Sequence, residues 1–297
     1  MNQIKKRILE DELLIYDILE TEAKTVRKKD KLAVVDSFKN FFKEDLEIGI
    51  GFQRAYGAIL AGDYFDLIKL PNKSFLFIFA DISGHGLPAY TTLIKLKSSI
   101  TIAINKLKKD YKSDQNINFS NLIKEISTYF ADIMDSSNSN DFACVNFTFI
   151  EKKNSHFNLE FYNRSMLFPL VFHKIDDLNV NFIDLNENDQ WENKKGFFLG
   201  GHLRKLQKNN YLNSPACSFQ LKRGDSILFY SDGIIESYSS KEKDEFGQEN
   251  IEKVMKKYIN RSPQIMVDKL FNEVYKFIGS HKKQKDDMTA VLMKFHD

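Results

Sequence analysis

The chain has 297 residues, 42% of them hydrophobic and 13% aromatic, with phenylalanine dominant among the rings. That length permits one large domain or two small ones, with enough apolar material for a sizeable core. A formal charge of +2, with acids and bases interspersed, lacks the basic footprint of a nucleic-acid binder. No apolar run approaches the roughly 18–20 residues needed to span a bilayer, and acids interrupt the apolar residues at the N-terminus, unlike a signal peptide. The expectation is a soluble, cytoplasmic protein whose two cysteines, Cys144 and Cys217, are reduced.

In chain order, residues 4–29 read as an amphipathic helix. Ile4, Ile8, Ile15 and Leu19 fall near one face, and Leu9, Leu13 and Tyr16 widen it. Such a helix either packs on its own domain or serves as a regulatory or dimerising element. A second short helix is expected over 32–42. From Leu46 the texture changes. Residues 46–56 alternate like a strand, and 66–70 with 74–80 form a hairpin around Pro71-Asn72-Lys73. Helices are predicted over 87–107, where Pro88 sits harmlessly in the first turn, and over 119–134, capped by Ser120 or a neighbour. A hairpin follows over 142–150 and 156–163, then a strand pair over 167–173 and 180–185. Residues 186–215 look irregular. A buried strand at 226–230 ends at Ser231-Asp232-Gly233. Helices are expected at 250–258 and 263–279, and a closing strand at 288–295. Strands come in hairpins and helices in pairs, which is an α+β pattern rather than βαβ alternation. The domain boundary is placed at 45: residues 1–45 as a helical lead and 46–297 as the main domain.

The chemistry lies in repeated acids at strand edges. Asp63 follows Gly62, Asp81 follows the apolar run 75–80, Asp232 precedes Gly233, and Asp286 and Asp287 precede the last strand. A single such acid is an ordinary turn cap; four places in one chain suggest a shared site. Crowded carboxylates repel unless something positive joins them. An oxygen-rich, sulfur-free, His-poor set favours Mg²⁺ or Mn²⁺ over softer metals.

The ordered motifs AGDYFD, FADISGHGLPA, LKRGDSILFYSDGIIES, EFGQENI and KDDMTAVLM resemble the PPM family of metal-dependent protein phosphatases, in its SpoIIE-like bacterial branch. The resemblance covers about residues 46–297. It implies a β-sandwich of two antiparallel sheets flanked by helices, with a two-ion Mn²⁺ or Mg²⁺ centre at one end. It further implies that Asp63, Asp81, Asp232 and Asp286 are the catalytic metal-holding acids, with the backbone carbonyl of Ile82 as a further oxygen donor. Asp287 would stand behind them, and Gly233 would give the backbone room beside Asp232. The implied reaction is direct hydrolysis of phosphoserine or phosphothreonine by a hydroxide activated between two ions. The implied substrate is an anti-sigma-factor antagonist. The chain departs from the branch at Ala61, where Gly is usual, and at 163–169, where Asn-Ala-Gly-His-Asn-Pro-Pro is usual.

Other residues keep two readings. His85 is a general acid or a turn residue. Arg164 binds the substrate phosphate or is a solvated loop arginine. Asp66 reads as a structural cap. Two further function classes are open: a degenerate phosphatase serving as a binding module, and a hydrolase of small phosphate esters. The helix at 4–29 is expected to bind an activator or a second copy of the chain; neither nucleic acid nor membrane is expected as a partner.

Overall fold

A computed structural model describes residues 35–36, 45–58, 60–84, 86–112, 116–137, 140–153, 155–175, 179–185, 196–200 and 216–295. The helix predicted over 4–29 and His85 lie outside the described residues. Of the helix predicted over 32–42, only 35–36 are described, and they are helical.

Two five-stranded antiparallel sheets stack face to face. One has the order β1-β12-β9-β6-β7 and the other β2-β3-β4-β5-β8. The strands are β1 (Leu46–Gln53), β2 (Tyr64–Lys69), β3 (Phe75–Ile82), β4 (Ala143–Lys152), β5 (His156–Arg164) and β6 (Leu170–Lys174). They continue with β7 (Val180–Asp184), β8 (Cys217–Lys222), β9 (Asp225–Tyr230) and β12 (Met288–Phe295). A small ladder, β10 (Tyr238–Ser239) with β11 (Asp244–Glu245), stands apart. Helices α1 (Gly86–Asp110) and α2 (Phe119–Ser136) cover the second sheet. Helices α4 (Gly247–Tyr258) and α5 (Pro263–Ile278) cover the first, and α3 (Asp232–Ile235) is a single turn between β9 and β10. The α+β sandwich flanked by helices is the predicted fold class.

Because successive strand residues point to opposite faces, each central strand supplies two cores. Along β3, Phe75, Phe77 and Phe79 enter the space between the sheets, while Leu76, Ile78 and Ala80 face the helices. Strands β9 and β12 divide the same way: Ile227, Phe229, Val291 and Met293 point inward, and Leu228, Tyr230, Ala290 and Leu292 meet α4 and α5. Phe77 and Phe229 meet across the sandwich with ring centroids 4.7 Å apart. Burying such a ring is worth about 1.5–3 kcal/mol, so strands buried on both faces read as continuous apolar runs.

Several boundaries differ from the sequence expectation. β3 runs two residues past Ala80, so Asp81 is a ladder residue opposite Cys144 rather than a turn residue. The cap of α2 is Asn118, whose Oδ1 accepts the amide N–H of Asn121 at 3.0 Å. The stretch from Asp232, read in the sequence only as the end of a strand, winds into α3. β8 is an additional strand; it pairs with β5 at the sheet edge, and its exposed Ser218, Gln220 and Lys222 mask the pattern.

Candidate active site

The inward-facing rows turn polar at one end of the sandwich. Stepping by two from the core, Leu67 and Phe65 lead to Asp63, and Phe77 and Phe79 lead to Asp81. Ile150 leads through Thr148 and Asn146 to Cys144, Ile227 and Phe229 lead to Ser231, and Met293 and Val291 lead to Thr289 and Asp287. The pleat that builds the phenylalanine core thus gathers these polar side chains at its end.

One part of this cluster is sealed. Asp63 and Asp287 are 2% and 3% exposed. Oδ2 of Asp63 accepts the Ser231 hydroxyl at 2.8 Å and the Thr289 hydroxyl. Ser231 Oγ in turn accepts the Thr289 amide at 2.9 Å. Asp287 accepts two backbone amides, from Ala55 at 2.9 Å and from Gly62 at 2.6 Å. It therefore clasps both ends of the 55–62 loop that delivers Asp63. Burial, and then the charge of Asp287, hold the Asp63 carboxyl well above the usual carboxylate range. Two glycines make this packing possible. A Cβ on Gly233 would lie 2.0 Å from the Asp287 carbonyl oxygen, and one on Gly62 would lie 2.9 Å from that of Ile82. Gly62 thus brings the Ile82 carbonyl against the backbone that carries Asp63.

The other part is open. Asp81 and Asp232 are half-buried and Asp286 is exposed. Burial, then the charges of Asp63, Asp232 and Asp286, push the Asp81 carboxyl up to about 10. Burial and Asp286 also raise Asp232, and a hydrogen bond shared with Asp81 opposes that rise. Asp286 accepts the amide of Asp287 at 2.8 Å. Two residues missed by the sequence reading border this group. Glu236 is exposed, with its carboxyl raised first by partial burial and then by Asp232, Glu245 and Asp286. Cys144, across the ladder from Asp81, has its thiol pushed up to about 12 by burial, Asp81 and Asp232, so it stays neutral beside the acids. Glu236 could have been found from its place in the Asp232 motif; Cys144 required the register of β3 on β4.

This donor set fits a hard divalent cation. Acids that raise one another's affinity for protons are acids that a cation would relieve, and the oxygens of Asp63, Asp81, Asp232 and Asp286 and the Ile82 carbonyl are the donors Mg²⁺ and Mn²⁺ take. Among the described residues no three carboxylate, imidazole or thiol groups stand close enough together to hold an ion by themselves. The acids make an open cluster, which suits ions that keep several waters.

Other candidate residues lie elsewhere. Arg164 is fully buried, on the helix-facing side of β5, where Nη2 donates to Ser127 Oγ at 3.2 Å. It is neither a solvated loop residue nor at the acid cluster. Ser165 beside it adopts φ 56° at the position where the resemblance expects Gly. The Asn163 side chain closes that turn on Met166, accepting its amide at 3.0 Å and donating to its carbonyl at 2.8 Å. Asp66 faces away from the cluster and caps locally, on the Tyr64 hydroxyl and the Leu67 amide.

No curated protein matches the chain by sequence. The family model for stage II sporulation protein E (SpoIIE) matches residues 71–296. The chain belongs to the SpoIIE family. Its fold is shared with solved PP2C phosphatase domains. The SiaA-PP2C domain of Pseudomonas aeruginosa superposes with a TM-score of 0.63 at 14% identity, over 96% of this chain and 98% of that one. A Bacillus subtilis SpoIIE structure, holding the PP2C phosphatase domain and a fragment of the regulatory domain, gives 0.54 at 16% identity, over 84% and 64%. The catalytic domain of the serine/threonine phosphatase PstP, in complex with two manganese ions, gives 0.53 at 13% identity, over 85% and 99%. The SpoIIE-family chain thus has the fold of PP2C phosphatase domains, with Asp63, Asp81, Asp232, Asp286 and Asp287 gathered at one end of its sandwich.

Proposed function

We propose that this domain hydrolyses phosphoserine or phosphothreonine on a phosphoprotein of the anti-sigma-factor-antagonist type, with two divalent cations, Mn²⁺ or Mg²⁺, held by its acid cluster. The observation that carries the metal reading is the gathering of Asp81, Asp232 and Asp286 beside Asp63 at one end of the sandwich, where burial, and then the charges of Asp63, Asp232 and Asp286, push the Asp81 carboxyl up to about 10. The fold is that of a PstP domain solved with two manganese ions. The substrate reading rests on the family and on likeness to a Mycobacterium tuberculosis structure that carries RsbU and RsbW domains (TM-score 0.57, 18% identity).

Asp81, Asp232 and Asp286, with Asp63 and the Ile82 carbonyl, would hold the ions. When bound there, such ions supply an activated water and neutralise charge developing on phosphoryl oxygens. The chain's own part is positioning. Ser231 and Thr289 hold one oxygen of Asp63 in place, and Asp287 fixes the loop behind it. The β3–β4 ladder fixes Asp81. Asp81→Ala and Asp232→Ala should each abolish Mn²⁺-dependent hydrolysis of an aryl phosphate while the circular dichroism spectrum is kept. Full activity in both variants would refute the assignment.

Residues 1–45 are proposed as a regulatory segment in which the 4–29 helix binds an activator or a second copy. Deleting residues 1–30 should change activity, oligomeric state or partner response; a protein unchanged in all three would refute the idea.

A further inference from the structure

Beside the acid cluster runs a groove of about 660 Å³. Tyr56 and Tyr238 stand on its walls, 55% and 45% exposed. Lys282, Lys283 and Lys285 line it together with Gln284, and no Asp or Glu among the described residues does. Glu245 is opposite Tyr238 in the β10–β11 ladder but is not among the lining residues. The three lysines are exposed, and among the described residues none of their ammonium groups has a carboxylate partner. Across the Tyr56–Ala58 turn, a second cavity of about 400 Å³ is lined by Arg54 and His281, again without an acid among the described residues.

The floor of the groove is built rigidly. Gln284 is 5% exposed, and its Nε2 donates to the carbonyls of Gln53 at 3.0 Å and Asp286 at 2.8 Å. Its own carbonyl accepts the Tyr56 amide at 3.1 Å, and its Oε1 accepts the Tyr275 hydroxyl at 3.2 Å. One buried residue, Gln284, thus ties the Tyr56 wall through its backbone carbonyl to the lysine wall on which it sits, and its chain runs directly into Asp286. The groove also shares Ala55 with the clasp on Asp287. A polypeptide with its phosphorylated side chain at the acid cluster has this basic, aromatic-walled channel as an adjoining path.

From this juxtaposition we infer that the Tyr56–Tyr238–Lys282–Lys283–Lys285 groove receives acidic residues flanking the phosphorylated serine or threonine of the protein substrate. The inference rests on the phosphatase reading and adds a sequence preference to it. The cluster itself is acidic and discriminates against acidic flanks, so a separate basic channel gives such a substrate its orientation. The tyrosine rings supply contact area with little entropy to lose.

The test uses the full chain in Mn²⁺ buffer and two unphosphorylated fluorescein-labelled peptides, which cannot be turned over. One has serine flanked by Asp and Glu; the other has Asn and Gln in their place. By fluorescence anisotropy the wild type should bind the acidic peptide roughly fivefold or more tightly than the neutral one, and added salt should shrink that ratio. Lys282→Glu combined with Lys283→Glu should abolish the preference, while Lys253→Glu combined with Lys257→Glu, on α4, should keep it. Equal binding of both peptides by the wild type, or a preference that survives the first double variant, overturns the inference. So does a single-stranded oligonucleotide that binds tighter than the acidic peptide and is lost with the same two lysines. Hydrolysis of an aryl phosphate, which has no flanks, should be the same in wild type and in the Lys282/Lys283 variant; a large fall there overturns the recognition role. A wild type with no Mn²⁺-dependent hydrolysis at all would instead refute the phosphatase reading, leaving the peptide preference as a separate result.

Discussion

The acid end of the sandwich contains two kinds of carboxylate. Asp63 and Asp287 are sealed and hydrogen-bonded to hydroxyl and amide donors. Asp81, Asp232 and Asp286 reach toward solvent and face one another. The same residue type does different work according to what surrounds it. A sealed acid with fixed donors organises backbone, whereas an open acid among acids gains most from a cation. Asp63 belongs to both, since its geometry is set by the sealed side and its charge acts on Asp81.

The contrast predicts a ranked series of substitutions. Asp81→Asn should have the largest effect on turnover. If Asp81 holds an ion as proposed, its loss forfeits several kcal/mol of transition-state charge stabilisation, so kcat on an aryl phosphate should fall roughly 10³-fold or more. Next comes Asp287→Ala, which strands the buried amides of Ala55 and Gly62 at a cost of about 1–3 kcal/mol each. Its activity should fall by roughly 10–100-fold through misplacement of Asp63, and Asp287→Asn, which keeps one of the two acceptor oxygens, should recover part of both. A readout of Tm alongside kcat and KM separates the two acids: Asp81→Asn loses activity without losing stability, and Asp287→Ala loses both. Gly233→Ala forces a methyl against the Asp287 carbonyl and should cost about 1–3 kcal/mol, seen as a Tm lower by roughly 2–4 °C per kcal/mol. Thr289→Val, which removes one of two hydroxyl donors to Asp63, should cost only about 1 kcal/mol and leave measurable turnover.

A separate effect, outside that ranking, is a pH dependence of the metal-free domain. Asp81 has a folded pKa raised to about 10, above its unfolded value. The unfolded chain therefore releases this proton first as pH rises. The contribution of Asp81 to stability is undiminished below the unfolded pKa, near 4, and is lost progressively from there up to about pH 10. In chelator, raising the pH from 6 to 9 should lower Tm more in wild type than in Asp81→Asn, and saturating Mn²⁺ should remove the difference in the wild type. Identical pH slopes in the two metal-free proteins would contradict the assignment of crowding at Asp81.

Much of this was legible in the sequence because strand periodicity and acid placement coincide. The alternation of Phe75, Phe77 and Phe79 marked a strand, and Asp81 two residues further on falls in the same inward row. Asp232 and Asp286 were found from neighbouring motifs. What could not be read was which residues meet across strands. Ser231, Thr289 and Cys144 are unremarkable in isolation and acquire meaning only from the β9–β12 and β3–β4 registers. Arg164 misled because a charged residue before a turn reads as solvated, yet its strand position carries it under α2 to Ser127. The resemblance already set Asp287 behind Asp286, but the amides it holds, those of Ala55 and Gly62, were not legible in the sequence.

The most direct test of the difference between sealed and open acids is calorimetric titration of Mn²⁺ into chelator-stripped wild type, Asp81→Asn and Asp287→Asn. The account predicts saturable binding to the wild type, retained in Asp287→Asn and lost or severely weakened in Asp81→Asn. A wild type that binds no Mn²⁺, or an Asp287→Asn variant as impaired as Asp81→Asn, would contradict it.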